Sequence, residues 1–171
     1  RIAIGHEGSG TRFLAMALMK ANEIQPYGPT KLVDLAGEPA VEALLKHQID
    51  AAFLMGDSAA PETIRQILHT KGIRLFDFPQ ADAYLRRFRY LSKLELPPGS
   101  FDLGTNLPPK PLIMLAPTVE LVARASLHPA LSDLLIEAAQ EVHGRATLLQ
   151  RAGEFPAPLE HEYPIGDNAS R

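Results

Sequence analysis

The sequence predicts an α/β fold with a mainly parallel sheet flanked by helices, and three observations carry that expectation. Short apolar runs alternate with stretches of helical periodicity through the first half of the chain. A glycine-rich turn joins the first run to the first helix, as in strand–turn–helix units of parallel sheets. The 171 residues are 46% hydrophobic, which suffices for a core.

The first strand is read at Ile2 to Ile4. It enters Gly5-His6-Glu7-Gly8-Ser9-Gly10-Thr11-Arg12, after which Phe13, Leu14, Met16, Ala17 and Leu18 repeat at a helical period. Asn22 stands near the C-cap, and Gln25-Pro26-Tyr27-Gly28-Pro29 excludes regular structure. A second strand is expected over Lys31 to Leu35. The next helix starts at Gly37-Glu38-Pro39, with Val41, Leu44 and Leu45 as its buried stripe, and ends near His47. Ile49 to Met55 is almost continuously apolar, the pattern of a strand covered on both faces. A proline-started helix follows from Pro61 to His69, then a fourth strand from Ile73 to Phe78.

Gln80 to Arg89 reads as a helix carrying Arg86, Arg87 and Arg89, a cluster more typical of a solvated face than of an anion site. Tyr90 to Leu96 is strand-like. Residues 97–111 are rich in proline and mark a connection and lobe boundary. Pro111 to Ala116 and Val119 to Ala123 are β-like. His128-Pro129 opens the strongest downstream helix, with Leu131, Leu134, Leu135, Ala138, Ala139 and Val142 on one face, ending at His143-Gly144. A short helix through Leu148 and Leu149 and an extended tail from Gly153 complete the chain. The chain opens directly on a strand without methionine, which reads as a fragment or processed product lacking its upstream part.

Ligands of parallel sheets bind at the carboxyl ends of strands beside helix N-termini. Two such ends are of interest, Gly5 to Arg12 after the first strand and Gly56-Asp57-Ser58-Ala59 after the third, and the candidate ligand-binding residues there are Gly8, Ser9, Gly10, Thr11 and Arg12, with Met55, Gly56 and Asp57. The first-turn amides of a helix lack intrahelical acceptors, and the macrodipole and the Arg12 guanidinium add positive potential. The guest expected is a small carboxylate or phosphate. Ser9 and Thr11 are also capping residues, so the same loop reads alternatively as a tight, well-capped turn. Asp57 either meets a ligand ammonium, caps the helix near Pro61, or faces water.

Other chemistries fit less well. Gly5 and Gly10 have Walker A spacing, but Thr11-Arg12 replaces Lys-Ser/Thr, and Gly8-Ser9-Gly10 does not continue as a dinucleotide fingerprint. His6, Glu7 and Ser9 lie close together, yet Gly8-Ser9-Gly10 is not a nucleophile elbow, so no catalytic residue is assigned. The absence of cysteine excludes thiolate metal sites, thiol catalysis and disulfides. His6, His47, His69, His128, His143 and His161 lack metal-ligand spacing, with His128 and His143 better read as helix-end residues; neither metal nor cofactor is expected. A net charge of −3 gives no general attraction to nucleic acid.

The run Ile4-Gly5-x-x-Gly8-Ser9-Gly10-Thr11-Arg12 opening a helix, followed by Ile49-Asp50-Ala51-Ala52-Phe53, resembles the TAXI family of TRAP-transporter solute receptors. Leu112 to Pro117 and Leu127-His128-Pro129-Ala130-Leu131 are similar to the C-terminal part of the same proteins, whereas His47-Gln48 replaces the glycine that commonly precedes Ile-Asp-Ala. The resemblance implies a lobe like that of type II periplasmic binding proteins. Residues 1–90 would form the ligand-binding lobe, 91–110 a crossing segment, 111–152 a return segment and 153–171 an extended tail. It implies a periplasmic or extracytoplasmic receptor that closes around a small organic anion, such as an amino or dicarboxylic acid, and delivers it to membrane permease subunits. A half-receptor with uncovered apolar surface is also a candidate for self-association. Two other classes remain open on this architecture: the effector domain of a transcription regulator, for which no basic helix-turn-helix is present in these residues, and an enzyme.

Overall fold

The computed structural model describes residues 1–158 and 163–166, apart from the side chains of Asp57 and Ser58. It is mixed α/β, with a small parallel sheet and a separate antiparallel pair, and its contacts divide it into two compact units, Arg1–Arg74 and Leu75–Arg171.

In the first unit, β1 (Ile2–Ala3), β2 (Leu32–Val33) and β3 (Ala51–Ala52) form a parallel sheet in the order β2-β1-β3, with Ile2 opposite both Leu32 and Ala51. β1 is short because Gly5 turns the chain away at a φ of 85° directly after Ile4. Crossovers through α1 (Gly10–Ala21) and α2 (Gly37–Leu45) connect them. Leu14, Ala15 and Leu18 of α1 are buried, and Ala40 and Ala43 of α2 close on Ala3 and Ile49. The Asn22 side chain donates to Leu18 O at 2.8 Å, completing the C-terminal end of α1 where the sequence predicts it. Past β3, a 3₁₀ turn (Gly56–Ala59) leads into α3 (Pro61–Leu68), whose N-cap is Ala60.

In the second unit, α4 (Ala81–Arg87) precedes β4 (Leu91–Leu96), which pairs antiparallel with β5 (Leu112–Pro117) in a register running from Leu91 opposite Pro117 to Leu96 opposite Leu112. Leu91, Leu96, Phe101 and Leu112 are buried there. α5 (Pro129–His143) starts and stops at the predicted residues, with His128 Nδ1 accepting from Ala130 N at 3.2 Å as the cap.

Several expectations are corrected. Ile49 is buried but Ala51 is exposed, so this strand is not covered on both faces, and among the described residues β1 is its one neighbour. Residues 73–78 form no strand: Asp77 Oδ1 takes the Ile113 N–H at 2.9 Å, the donor that a ladder carbonyl would have used. Residues 119–123 form none either. The Thr118 N–H reaches Tyr90 O at 2.8 Å, beyond which β4 has no length left to pair, and Val119, Leu121 and Val122 are exposed. Leu148 and Leu149 lie outside any helix, in a turn where Thr147 Oγ1 accepts from Leu149 N at 3.2 Å. Residues 91–110 contain β4 and the connection to β5. That connection has its own order, with Phe101 and Pro108 buried and Asp102 bridging to Leu107.

Candidate functional site

Parallel pairing brings the loops after β1, β2 and β3 to one edge of the first unit's sheet, their carboxyl end. The β1–α1 loop is built on Gly5. A Cβ there would stand 2.9 Å from Ser9 Oγ and 2.9 Å from Thr11 Cβ, so only glycine admits this approach of the first helical turn to the strand end. By contrast, a Cβ on Gly8 or Gly10 would meet nothing within 4 Å. The loop is tight beneath and open above.

Ser9 is the N-cap of α1. Its hydroxyl accepts from Arg12 N at 3.2 Å and donates to His6 O at 2.7 Å. The third amide of the helix is thereby satisfied. Among the described residues, the N–H groups of Gly10 and Thr11 have no protein acceptor. With its proton engaged on a main-chain carbonyl rather than directed at the His6 ring, Ser9 lacks the base contact an activated nucleophile needs.

Asp34, the residue directly after β2, was not singled out by the sequence reading and organises the loop. His6 Nδ1 lies 2.5 Å from its Oδ1 and Arg12 Nη1 lies 3.7 Å from its Oδ2. The hydrogen bond with His6 is the main reason the Asp34 carboxyl sits below the usual carboxylate range, with the charges of His6 and Arg12 acting the same way against partial desolvation. The half-buried Arg12 guanidinium also donates to Gly5 O at 3.4 Å. Arg12 is thus held in place by Gly5 and Asp34. The available signal was topological: in parallel neighbours, the residue following one strand lands beside the residues following the other.

A groove of about 680 Å³ begins at Glu7, Gly8, Ser9 and Arg12 and runs along the flank of α1 over Phe13, Met16 and Ala17 to Lys20, Ile24 and Pro26. Of the candidate residues, Gly8, Ser9 and Arg12 line it, while Gly10 and Thr11 sit at the start of the helix beside it. Met55 and Gly56 stand at the same sheet edge but do not line the groove, and the side chain of Asp57 lies outside the described residues.

No group of histidine and acidic residues with a metal-binding arrangement occurs among the described residues, which exclude His161. None of their helices is long and apolar enough to cross a membrane. Arg86, Arg87 and Arg89 are exposed around α4. Comparison of the chain with protein-family models, curated proteins and solved structures finds no match.

Proposed function

We propose that this chain is the ligand-binding part of an extracytoplasmic solute receptor of the TRAP-transporter kind, built on a lobe like that of type II periplasmic binding proteins. It binds a small organic anion at the opening of α1 without making or breaking a covalent bond, and passes it to membrane permease subunits. The observation that carries the reading is the pair of uncommitted amides of Gly10 and Thr11, beside the Arg12 guanidinium and under an open surface at Gly8 and Gly10. These are preorganised donors for a carboxylate, reinforced by the helix dipole. The parallel sheet supports the reading by bringing three loops to one edge.

The amides, not Arg12, offer the clean test, because Arg12→Ala also removes the bond to Gly5 O. Ser9 has φ −81° and ψ 150°, the conformation favoured before proline, and Gly10 is the first helical residue, where proline is tolerated. Gly10→Pro therefore deletes one donor and keeps the helix start, while Gly10→Ala keeps the donor. Solutes retained by the purified protein are identified by mass spectrometry and titrated by calorimetry. Gly10→Pro is expected to weaken binding by about 1.5 to 3 kcal/mol, roughly tenfold to a hundredfold, and Gly10→Ala to change it little. Equal affinity of both variants and the parent would remove the site from this loop.

A further inference from the structure

α5 is the longest helix among the described residues, and none of its residues is buried. One face is partly covered, and its C-terminal end meets the chain that follows. Ser132, Ile136 and Ala139 are half-buried, the His143 ring meets Phe155 with centroids 5.9 Å apart, and the Gln150 side chain donates to His143 O at 2.8 Å. A second face is uncovered. At about 100° per residue, Leu131, Leu134, Leu135, Ala138 and Val142 fall on one stripe, where Leu134 is 59% and Val142 68% exposed. Along the flank of that stripe opposite the partly covered face run Asp133, Glu137 and Glu141, all exposed and one helical turn apart.

We infer that this stripe is a docking surface for a partner protein whose apolar groove or helix face is edged by lysine and arginine on one side. A leucine stripe on a rigid helix is the geometry of helix-in-groove recognition, and the acidic row sets the sign of charge that must face it. A second copy of the chain fits poorly by the same charges. In an antiparallel two-fold pair each flank meets its own counterpart, so the three carboxylates would oppose three carboxylates. In a parallel pair the acidic row would have to meet the flank of half-buried Ile136 and Ala139, whose end at His143 already meets Phe155 and which offers no cation.

The probes are two synthetic amphipathic helical peptides with identical leucine stripes, one flanked by lysine and the other by glutamate, titrated against the protein by fluorescence anisotropy at low and high salt. The lysine peptide is expected to bind at least tenfold tighter at low salt, with the ratio shrinking as salt rises. Asp133→Lys, Glu137→Lys and Glu141→Lys together are expected to reverse the preference. Leu131→Ser with Leu135→Ser should abolish binding of either peptide while circular dichroism shows the helix retained, since both side chains are exposed. Equal binding of the two peptides, or lysine-peptide binding that survives the leucine substitutions, overturns the proposal. So does a dimer in sedimentation that those substitutions dissolve, or equally strong attachment of the stripe to neutral phosphatidylcholine vesicles.

Discussion

α1 and α5 are both amphipathic, both capped by a side chain at the predicted residue, and opposite in fate. Leu14 and Leu18 of α1 are each 5% exposed, packed in a unit whose core also takes in Ala3 and Ile4, while the leucines of the longer α5 face outward. Periodicity thus specifies that a helix forms and which stripe is apolar, but not whether anything covers that stripe. The covering surface comes from elsewhere in the chain or from another molecule, and it decides how much stability the helix contributes.

The largest effect that would test this contrast is leucine truncation. Leu14→Ala or Leu18→Ala is expected to destabilise the first unit by about 2 to 5 kcal/mol, whereas Leu134→Ala in α5 should stay within about 0.5 kcal/mol. Denaturant titration followed by amide exchange in each unit reads the two separately, and a comparable loss from Leu134→Ala would mean that the stripe is packed after all.

A smaller effect separates two glycines of one loop. Gly5→Ala forces a Cβ against Ser9 Oγ and Thr11 Cβ at a φ of 85°, a cost of about 1 to 3 kcal/mol. Gly10→Ala places a methyl in open space at a helical position and should leave stability unchanged or raise it by about 0.4 to 1 kcal/mol. Thermal unfolding of both variants checks the pair, and similar melting temperatures would break the distinction between a packed glycine and an open one.

The smallest effect concerns pH and again contrasts the two helices, since α5 starts on His128 alone while the α1 loop leans on Asp34. A carboxyl whose folded value is depressed contributes stability that is present above its ordinary value and lost as pH falls through the folded one. Exchange protection of the amides in the β1–α1 loop, which Asp34 braces through His6 and Arg12, is therefore expected to decline on acidification below about pH 3.9. Asp34→Asn should flatten that dependence, and an unchanged profile would show that the carboxylate does not hold the loop.

Much of the first unit was legible because its signals are local. Glycine after Ile4, serine before the helix and Asn22 at its end each act within a few residues through backbone conformation or a side-chain cap. The strand expected at 73–78 failed for a non-local reason, since Asp77 bonds the amide of Ile113. Residues 119–123 have strand composition but no edge to join. Within the candidate site, Gly8, Ser9 and Arg12 were readable from the loop itself, while Asp34 and the Phe13–Met16 flank of the groove emerged only from placement.

By itself the amino-acid order determined where α1 ends, where α5 starts and stops, and that an open glycine turn precedes α1. These depend on interactions a few residues long. Tertiary structure alone decided that Asp34 reaches back to His6 and Arg12, that β3 lies at an edge, and that the α5 stripe stays uncovered. Each of those depends on which distant segment arrives alongside, and burial and pairing are properties of neighbours in space rather than in sequence.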